Sequence, residues 1–549
     1  MHGDDSETIE TSDGTAQTSE TDLQLTRRSL TRTIGAGAFA ALAGGVDGLP
    51  SFASTASAAE DAEPYRPEYH FSPSEGWMND PNGLVYKNGT YHLFYQAGEW
   101  PRRWDHATST DLINWTEHGT KIPAVEPGDT AGISPFSGGA VIDENDTAGF
   151  GEDALVAMYT GHHYGDGFDA AGIEDQRVAY STDNGETVHK YEENPVLPSD
   201  VGDWRDPRPL WYESDGNWRM VITRVSPAEN RPAGVEIWES SNLKDWEYLS
   251  TYESGGEPWE TPNLEQLPVE GTDESAWVVS MSAMDPRRVE HHIGCFDGTE
   301  FTAEKAIRAD HGFDFYAPQY WANTPENRGL YIAWMNNWNY AMETPDNGWQ
   351  GEMTVPRTIS LVDGDDGPEV RQHPASELTE IRQEQLAELS DKQITPSNAD
   401  QVCSQEASAS GPLSGTDVDG RTLEIVATID PQDADEVGLR VREGDEQASI
   451  ITYDAANEEL RFDRTNAGEF FDEGEYGVAD APLKPLCDGT IELRVFVDRS
   501  SVEIFANEGR KTMTNLVFPD WESTGVSLFA DGGTATLEHL IAYDLSTES

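Results

Sequence analysis

Ser109-Thr110-Asp111-Leu112-Ile113-Asn114-Trp115 returns, altered, as Ser240-Ser241-Asn242-Leu243-Lys244-Asp245-Trp246. Ser181-Thr182-Asp183-Asn184-Gly185 and Phe296-Asp297-Gly298-Thr299 occupy similar slots. The Asp or Asn positions 111, 183, 242 and 297 recur at intervals of about 55–72 residues, which suits propeller blades with loop insertions. Each echo reads as a turn between blade strands. Around them, from about residue 66, helix periodicity is scarce. Short β-rich runs alternate with Gly, Asn, Asp and Pro turns, which predicts an all-β protein. Leu84-Val85-Tyr86 and Tyr91-His92-Leu93-Phe94-Tyr95 read as a hairpin closed by Lys87-Asn88-Gly89-Thr90. Composition shifts near 365–400, where Glu377-Leu378-Thr379-Glu380-Ile381-Arg382 has a short helical pattern. Strand alternation resumes in 423–429, 491–497 and 501–505, as in a separate β-sandwich. The expected domains are a propeller over 66–372, a linker over 373–399 and a sandwich over 400–546.

The 549 residues suffice for two or three domains. There are 102 Asp+Glu against 35 Lys+Arg, a formal net charge of -67 spread along the whole chain. With 16 Trp, 19 Tyr and 18 Phe the chain is too aromatic for a disordered polyelectrolyte. A folded protein this acidic repels itself in dilute buffer. In molar salt the Debye length falls to roughly 3 Å and that repulsion is screened. The composition reads as adaptation to high salt, with adaptation to acid pH as the alternative. No basic patch offers itself to phosphate, which speaks against nucleic acid as a partner. Cys295, Cys403 and Cys487 form no CxxC or Cys/His cluster. A Cys403–Cys487 bridge is open, but buried thiols are the expectation.

Residues 1–58 read as an acidic leader with an export signal. Arg27-Arg28 precedes the weakly apolar run 34–49, and Ala56-Ser57-Ala58 supplies a cleavage site. This pattern resembles a twin-arginine signal, so a secreted, extracellular protein is expected. The run is too short and too rich in Gly and Ala for a membrane span.

Three acidic motifs stand out. In Trp77-Met78-Asn79-Asp80-Pro81-Asn82-Gly83, Pro81 holds Asp80 away from helix and Asn82-Gly83 signals a turn. Trp204-Arg205-Asp206-Pro207-Arg208 sets an Asp between two arginines. Trp259-Glu260-Thr261-Pro262-Asn263 is the third. Among 102 acids a lone carboxylate means nothing. Each of these, however, is held in a stiff loop near Pro and Trp or Arg, where sugar sites are built.

Together these motifs resemble glycoside hydrolase family 32, the β-fructosidases, over nearly all of the mature chain. Asp80 sits in a stretch similar to the family's nucleophile motif, Asp206 in its second motif and Glu260 in its acid/base motif. Phe94-Tyr95-Gln96, Trp104-Asp105-His106-Ala107-Thr108-Ser109 and Phe136-Ser137-Gly138-Gly139-Ala140 follow in the family's order. So do Asp314-Phe315-Tyr316-Ala317-Pro318-Gln319, Trp334-Met335-Asn336-Asn337-Trp338 and Trp349-Gln350-Gly351-Glu352-Met353-Thr354-Val355-Pro356-Arg357. Asp498-Arg499-Ser500-Ser501-Val502-Glu503-Ile504-Phe505 resembles a strand pair of the family's sandwich.

The resemblance implies a five-bladed β-propeller followed by a β-sandwich. It implies retaining hydrolysis of terminal β-fructofuranosides in sucrose or in inulin- or levan-type fructans. Asp80 is the expected nucleophile, Glu260 the acid/base and Asp206 the transition-state stabiliser oriented by Arg205. For Glu260 to donate a proton, apolar and like-charged neighbours, Trp259 among them, are expected to raise its pKa. Asn79, Gln96, Trp104, Phe136, Ser137 and Trp334 match substrate subsites. His106 and His162-His163 invite a metal reading, but the chemistry needs neither metal nor cofactor. The sandwich is expected to have a stabilising or homodimer-forming role. Two departures stand out. Thr261 and Asn263 replace the usual Cys and Asp, and the Thr261 hydroxyl is expected to donate towards the acid/base carboxyl. Asp105, beside Trp104 at the expected pocket rim, replaces a common Gly. A fructosyltransferase on the same fold and a non-catalytic fructan-binding protein are the alternatives. All three carboxylates being present speaks against the latter.

Overall fold

The computed structural model describes residues 63–228, 231–364, 367–396, 412–413, 416–468, 470 and 474–545. The leader with its twin arginines and the third cysteine, Cys403, lie outside them. Five antiparallel sheets form the N-terminal part, in chain order, as blades I to V. The innermost strand of blade I is Gly76–Lys87, of blade III Trp204–Tyr212, of blade IV Trp259–Pro268 and of blade V Tyr316–Tyr320. In blade II the inner position is shared by Gly132–Pro135 and Ala140–Asp143, both paired with Ala154–Tyr164. The ring closes when Trp349–Gln350, reached from blade V, pairs in parallel with the first strand of blade I.

The echoed Asp and Asn residues each cap the turn between a blade's third and fourth strands. Asp111 Oδ1 accepts from the backbone N–H of Ile113 and Asn114 at 3.0 and 2.8 Å. Asn242 Oδ1 does the same for Lys244 and Asp245 at 3.0 and 2.8 Å. Asp183 accepts from Thr187 and Asp297 from Thr299 and Glu300. A short side-chain acceptor satisfies turn amides that no strand partner can reach.

A second repeat lies on the inner strands. Pro207, Pro262 and Pro318 fall inside a break of strand register, at Arg205/Arg208, Glu260/Asn263 and Tyr316/Gln319, and Pro81 closes one at Met78/Pro81. Proline cannot donate to the ladder, so it sits where the ladder is interrupted. Such bulges bend the strand and re-aim its side chains. Asp206, Thr261 and Ala317 adopt left-handed φ of 66, 49 and 50°, each at a cost of about 1–2 kcal/mol. Beside them Gly138 lets the chain lie close on the neighbouring strand of its own blade II, and Gly139 lets blade III approach blade II. A Cβ on Gly138 would meet the Met158 carbonyl at 2.0 Å, and one on Gly139 the Arg208 side chain at 2.6 Å.

Two further sheets, of six and five strands, face each other across an apolar core that includes Ile425, Leu439, Phe462, Val495 and Leu540. Residues 382–394, within the stretch expected as a linker, form the edge strand Arg382–Ile394 of the six-stranded sheet, paired with Ala535–Leu545. Among the described residues of that stretch only Ser376–Ile381 is helical, as a 3-10 turn. The fold is thus an all-β propeller and sandwich. Charged groups join the two parts. Arg357 Nη1 donates to Asp310 at 3.0 Å and its Nη2 to Glu503, all three fully buried. His70 bridges Asp498 at 2.7 Å and Glu503 at 2.9 Å. Arg464 Nη1 reaches across to Asp314 at 2.6 Å. Contrary to expectation, Cys295 and Cys487 are exposed thiols.

Candidate active site

The inner-strand bulges bring three carboxylates into one electrostatic neighbourhood. Asp80 comes from blade I, Asp206 from blade III and Glu260 from blade IV. Asp80 is half-buried. Its Oδ2 accepts from Ser137 Oγ at 2.6 Å and its Oδ1 from Asn79 Nδ2 at 3.1 Å. Asn79 is in turn fixed by the Trp77 indole N–H at 2.8 Å. Burial raises the Asp80 pKa, Ser137 and Asn79 work against that, and the charge of Glu260 adds to it. Asp206 is buried and accepts the Thr261 N–H at 2.9 Å. Burial also pushes its pKa well up, opposed by Arg205 and reinforced by Glu260 and Asp80. The three groups therefore sense one another's charge, as members of a single site do.

Glu260 is held by cations rather than by apolar surface. Arg205 Nε lies 3.3 Å from Oε1, while Arg287 Nη1 and the Tyr316 hydroxyl lie 3.1 and 2.8 Å from Oε2. The Arg287 guanidinium also donates to the Tyr316 oxygen at 2.7 Å. Burial opposes the charge of Arg205, but Glu174, Glu260 and Asp206 together hold it firmly cationic. Trp259 faces away and stacks with Tyr252 in the core between blades III and IV. The Thr261 hydroxyl does not reach Glu260 either. It bonds Ser282 Oγ at 2.8 Å, because the left-handed backbone at Thr261 directs its N–H to Asp206 and its side chain into the blade. Asn263 Nδ2 bridges the carbonyls of Thr261 and Pro318 at 3.2 and 2.9 Å, tying blades IV and V.

The expected subsite residues fall into two groups. Asn79 and Ser137 touch Asp80, and Arg205 touches Glu260. Phe136 adjoins Ser137 and stacks on His162 with ring centroids 4.5 Å apart. Gln96, Trp104 and Trp334 are buried at 2, 0 and 0 % exposure, so they shape the wall from behind. Gln96 Nε2 donates to the Pro135 carbonyl at 3.1 Å and Trp104 Nε1 to the Phe136 carbonyl at 3.0 Å. Asp105 pairs with Arg103 at 3.0 Å and accepts from Thr120 at 2.6 Å within blade I. His106 stacks on Phe94 at 4.2 Å beside His92, and His162 and His163 pair with Glu174 and Asp175. Among the described residues no cluster of three or more His, Cys, Asp or Glu suits a metal ion. Three contributors carry no role in the motif reading: Glu174, Arg287 and Tyr316. The proline repeat could have found Tyr316, since Asn79, Arg205, Glu260 and Tyr316 each stand two residues before its proline.

Residues 70–374 match the N-terminal domain of glycosyl hydrolases family 32 and residues 378–544 its C-terminal domain. A levanase of Bacillus subtilis (strain 168) is 37% identical over 527 residues, covering 90% of this chain and 73% of its own. An extracellular exo-inulinase of Aspergillus awamori is 33% identical, covering 86% of this chain and 93% of its own. The crystal structure of the exo-inulinase from Aspergillus awamori superposes with a TM-score of 0.78 at 31% identity, covering 88% of this chain and 98% of that one. A fructofuranosidase from Schwanniomyces occidentalis, complexed with fructose, gives 0.74 at 25% identity, covering 88 and 99%. With both domains matched in order and three acidic motifs brought to one site, the chain belongs to glycosyl hydrolase family 32.

Proposed function

We propose that the protein is an exported β-fructosidase that releases fructose from the non-reducing ends of fructans or from sucrose. The convergence of Asp80, Asp206 and Glu260, each within reach of the others' charge, carries this reading, because one hydrolytic step needs a nucleophile, a proton donor and a charge stabiliser together. Asp80 attacks the anomeric C2 and forms a covalent fructosyl-enzyme. Glu260 protonates the departing oxygen and then takes a proton from the incoming water. Arg205, Arg287 and Tyr316 fix the direction of the Glu260 carboxyl, which is what a group that gives and regains a proton requires. Asp206, held by the Thr261 amide, accepts hydrogen bonds from fructose hydroxyls and balances positive charge developing on the ring. Relatives named as extracellular enzymes support export. Among the described residues no helix is long and apolar enough to cross a membrane.

The test follows free fructose from sucrose, inulin and levan in high salt. Glu260→Gln is expected to lower kcat by about 10²–10⁴, and Asp80→Asn to abolish release, both with the fold intact. Near-normal rates from either variant would sink the mechanism. Longer oligosaccharides in place of fructose would make the protein a fructosyltransferase.

A further inference from the structure

The linear sequence shows no basic patch, yet folding assembles one. Lys305 and Arg308 lie on the outer strand of blade IV, Phe301–Arg308, and Glu369 on the outer strand of blade V, Gly367–Pro374. Arg510 and Lys511 come from the sandwich hairpin that opens the strand Lys511–Leu516. All five line one cavity of about 110 Å³ at the seam between propeller and sandwich, room for about three waters or one tetrahedral oxyanion. Among the described residues four cations meet there with one carboxylate, in a chain where acids outnumber bases almost three to one.

Among the described residues that line the cavity, Glu369 alone carries a negative charge. Glu369 is engaged by Arg510 Nη1 at 2.9 Å. Arg308 is anchored to the carbonyls of Asp310 and Gly312 at 2.8 and 3.2 Å, and the carboxylates of Asp310 and Asp480, outside the cavity lining, act on its charge. Among the described residues Lys305 Nζ reaches only the Gly367 carbonyl, at 3.4 Å. Lys511 Nζ makes no hydrogen bond or ion pair among the described residues. Burial pushes the Lys511 ammonium down from its ordinary value; Glu369 pulls it back, and the cations of Lys305 and Arg510 push it down further. Like charges converging on a part-buried site destabilise a fold unless a counter-charge joins them.

We propose that this seam cavity is a binding site for a small divalent oxyanion, sulfate or inorganic phosphate, held by Lys511, Lys305 and the Arg308–Arg510 pair. An anion there touches two blades and the sandwich at once. It binds only when the three elements are assembled, so it stabilises the native state by mass action. The site is separate from the catalytic funnel, and the proposal does not depend on the substrate.

The experiment follows thermal unfolding of the full chain in a potassium chloride background, adding millimolar potassium sulfate or potassium phosphate. Sulfate raises the midpoint of many proteins by exclusion from their surface, so the informative quantity is the difference between wild type and variants. Wild type is expected to gain several degrees, rising with the logarithm of anion concentration. Lys511→Met, which keeps the stem and removes the charge, is expected to lose that gain and to melt no lower than wild type in chloride alone. Lys305→Met is expected to halve the gain or more, and both variants to keep wild-type fructose release. Equal gains in wild type and both variants overturn the site. A clear loss of stability of Lys511→Met in chloride alone also overturns it, because it would show that Lys511 already has a counter-charge. Should Lys511→Met not fold, the Lys305→Met comparison decides.

Discussion

Asp80 carries its charge close enough to Asp206 and Glu260 for the three to act on one another. Burial raises its pKa, so the folded chain binds this proton more readily than the unfolded chain does. As pH rises above the ordinary carboxylate range through the folded value, stability is therefore lost. Asp80→Asn removes the charge and keeps the shape. It is expected to melt higher than wild type at neutral pH while releasing no fructose, a trade of stability for function that thermal unfolding reads directly. The Ser137 hydroxyl lowers the same pKa through its 2.6 Å bond. Since the nucleophile acts as the anion, Ser137→Ala should move the acidic limb of kcat/KM to higher pH; an unmoved limb would detach Ser137 from the nucleophile. On Glu260, Tyr316→Phe deletes one of the two donors at Oε2 without altering packing. A fall in kcat of about 10-fold or more with KM little changed is expected, since the bond orients the proton donor rather than the bound sugar.

At the scale of elements, local chemistry was legible in the sequence and long-range polar pairing was not. The echoed turns could be read because Asp111, Asp183, Asn242 and Asp297 bond to amides within a few residues, so their signal lies in one short stretch. The three acids could be read because proline and tryptophan mark their bulges. Arg287 could not: it meets Glu260 from the neighbouring hairpin of blade IV, and no residue beside it announces a site. The strand Arg382–Ile394 reads as a polar linker because its face is largely solvated at the sheet edge. The seam network is invisible for the same reason as Arg287, since His70 and Glu503 are more than 400 residues apart. That network makes a definite prediction. Burial alone would lower the His70 pKa, but Asp498 and Glu503 lift it to about 10. A raised histidine contributes stability that is complete below its unfolded value of about 6.5 and is lost as pH climbs towards the folded one. His70→Gln should flatten the fall of the thermal midpoint across that window. Arg357→Met leaves Asp310 and Glu503 buried without their cation, and a loss of about 3–5 kcal/mol is expected in denaturant unfolding.

For the whole molecule the governing quantity is the charge of -67. Two conditions could relieve its self-repulsion, salt or acid. Their effects on the seam differ. Asp310, Asp498 and Glu503 are buried, yet Arg357 and His70 hold all three below the usual carboxylate range. A depressed carboxylate contributes stability that is present above its unfolded pKa and lost as pH falls towards the folded one. Acid strong enough to neutralise the surface carboxylates therefore begins to dissolve the bonds between propeller and sandwich. Salt has no such cost, because pairs buried at the seam are screened far less than exposed charges. The expectation is that folding and activity fail in dilute buffer at pH 7 and recover as potassium chloride approaches molar concentration, where the Debye length is about 3 Å. Lowering pH in dilute buffer should recover little. Thermal midpoints measured along both axes decide the matter. Full stability at low ionic strength would refute adaptation to salt, and recovery by acid alone would show that surface repulsion, once neutralised, outweighs the ion pairs of the seam.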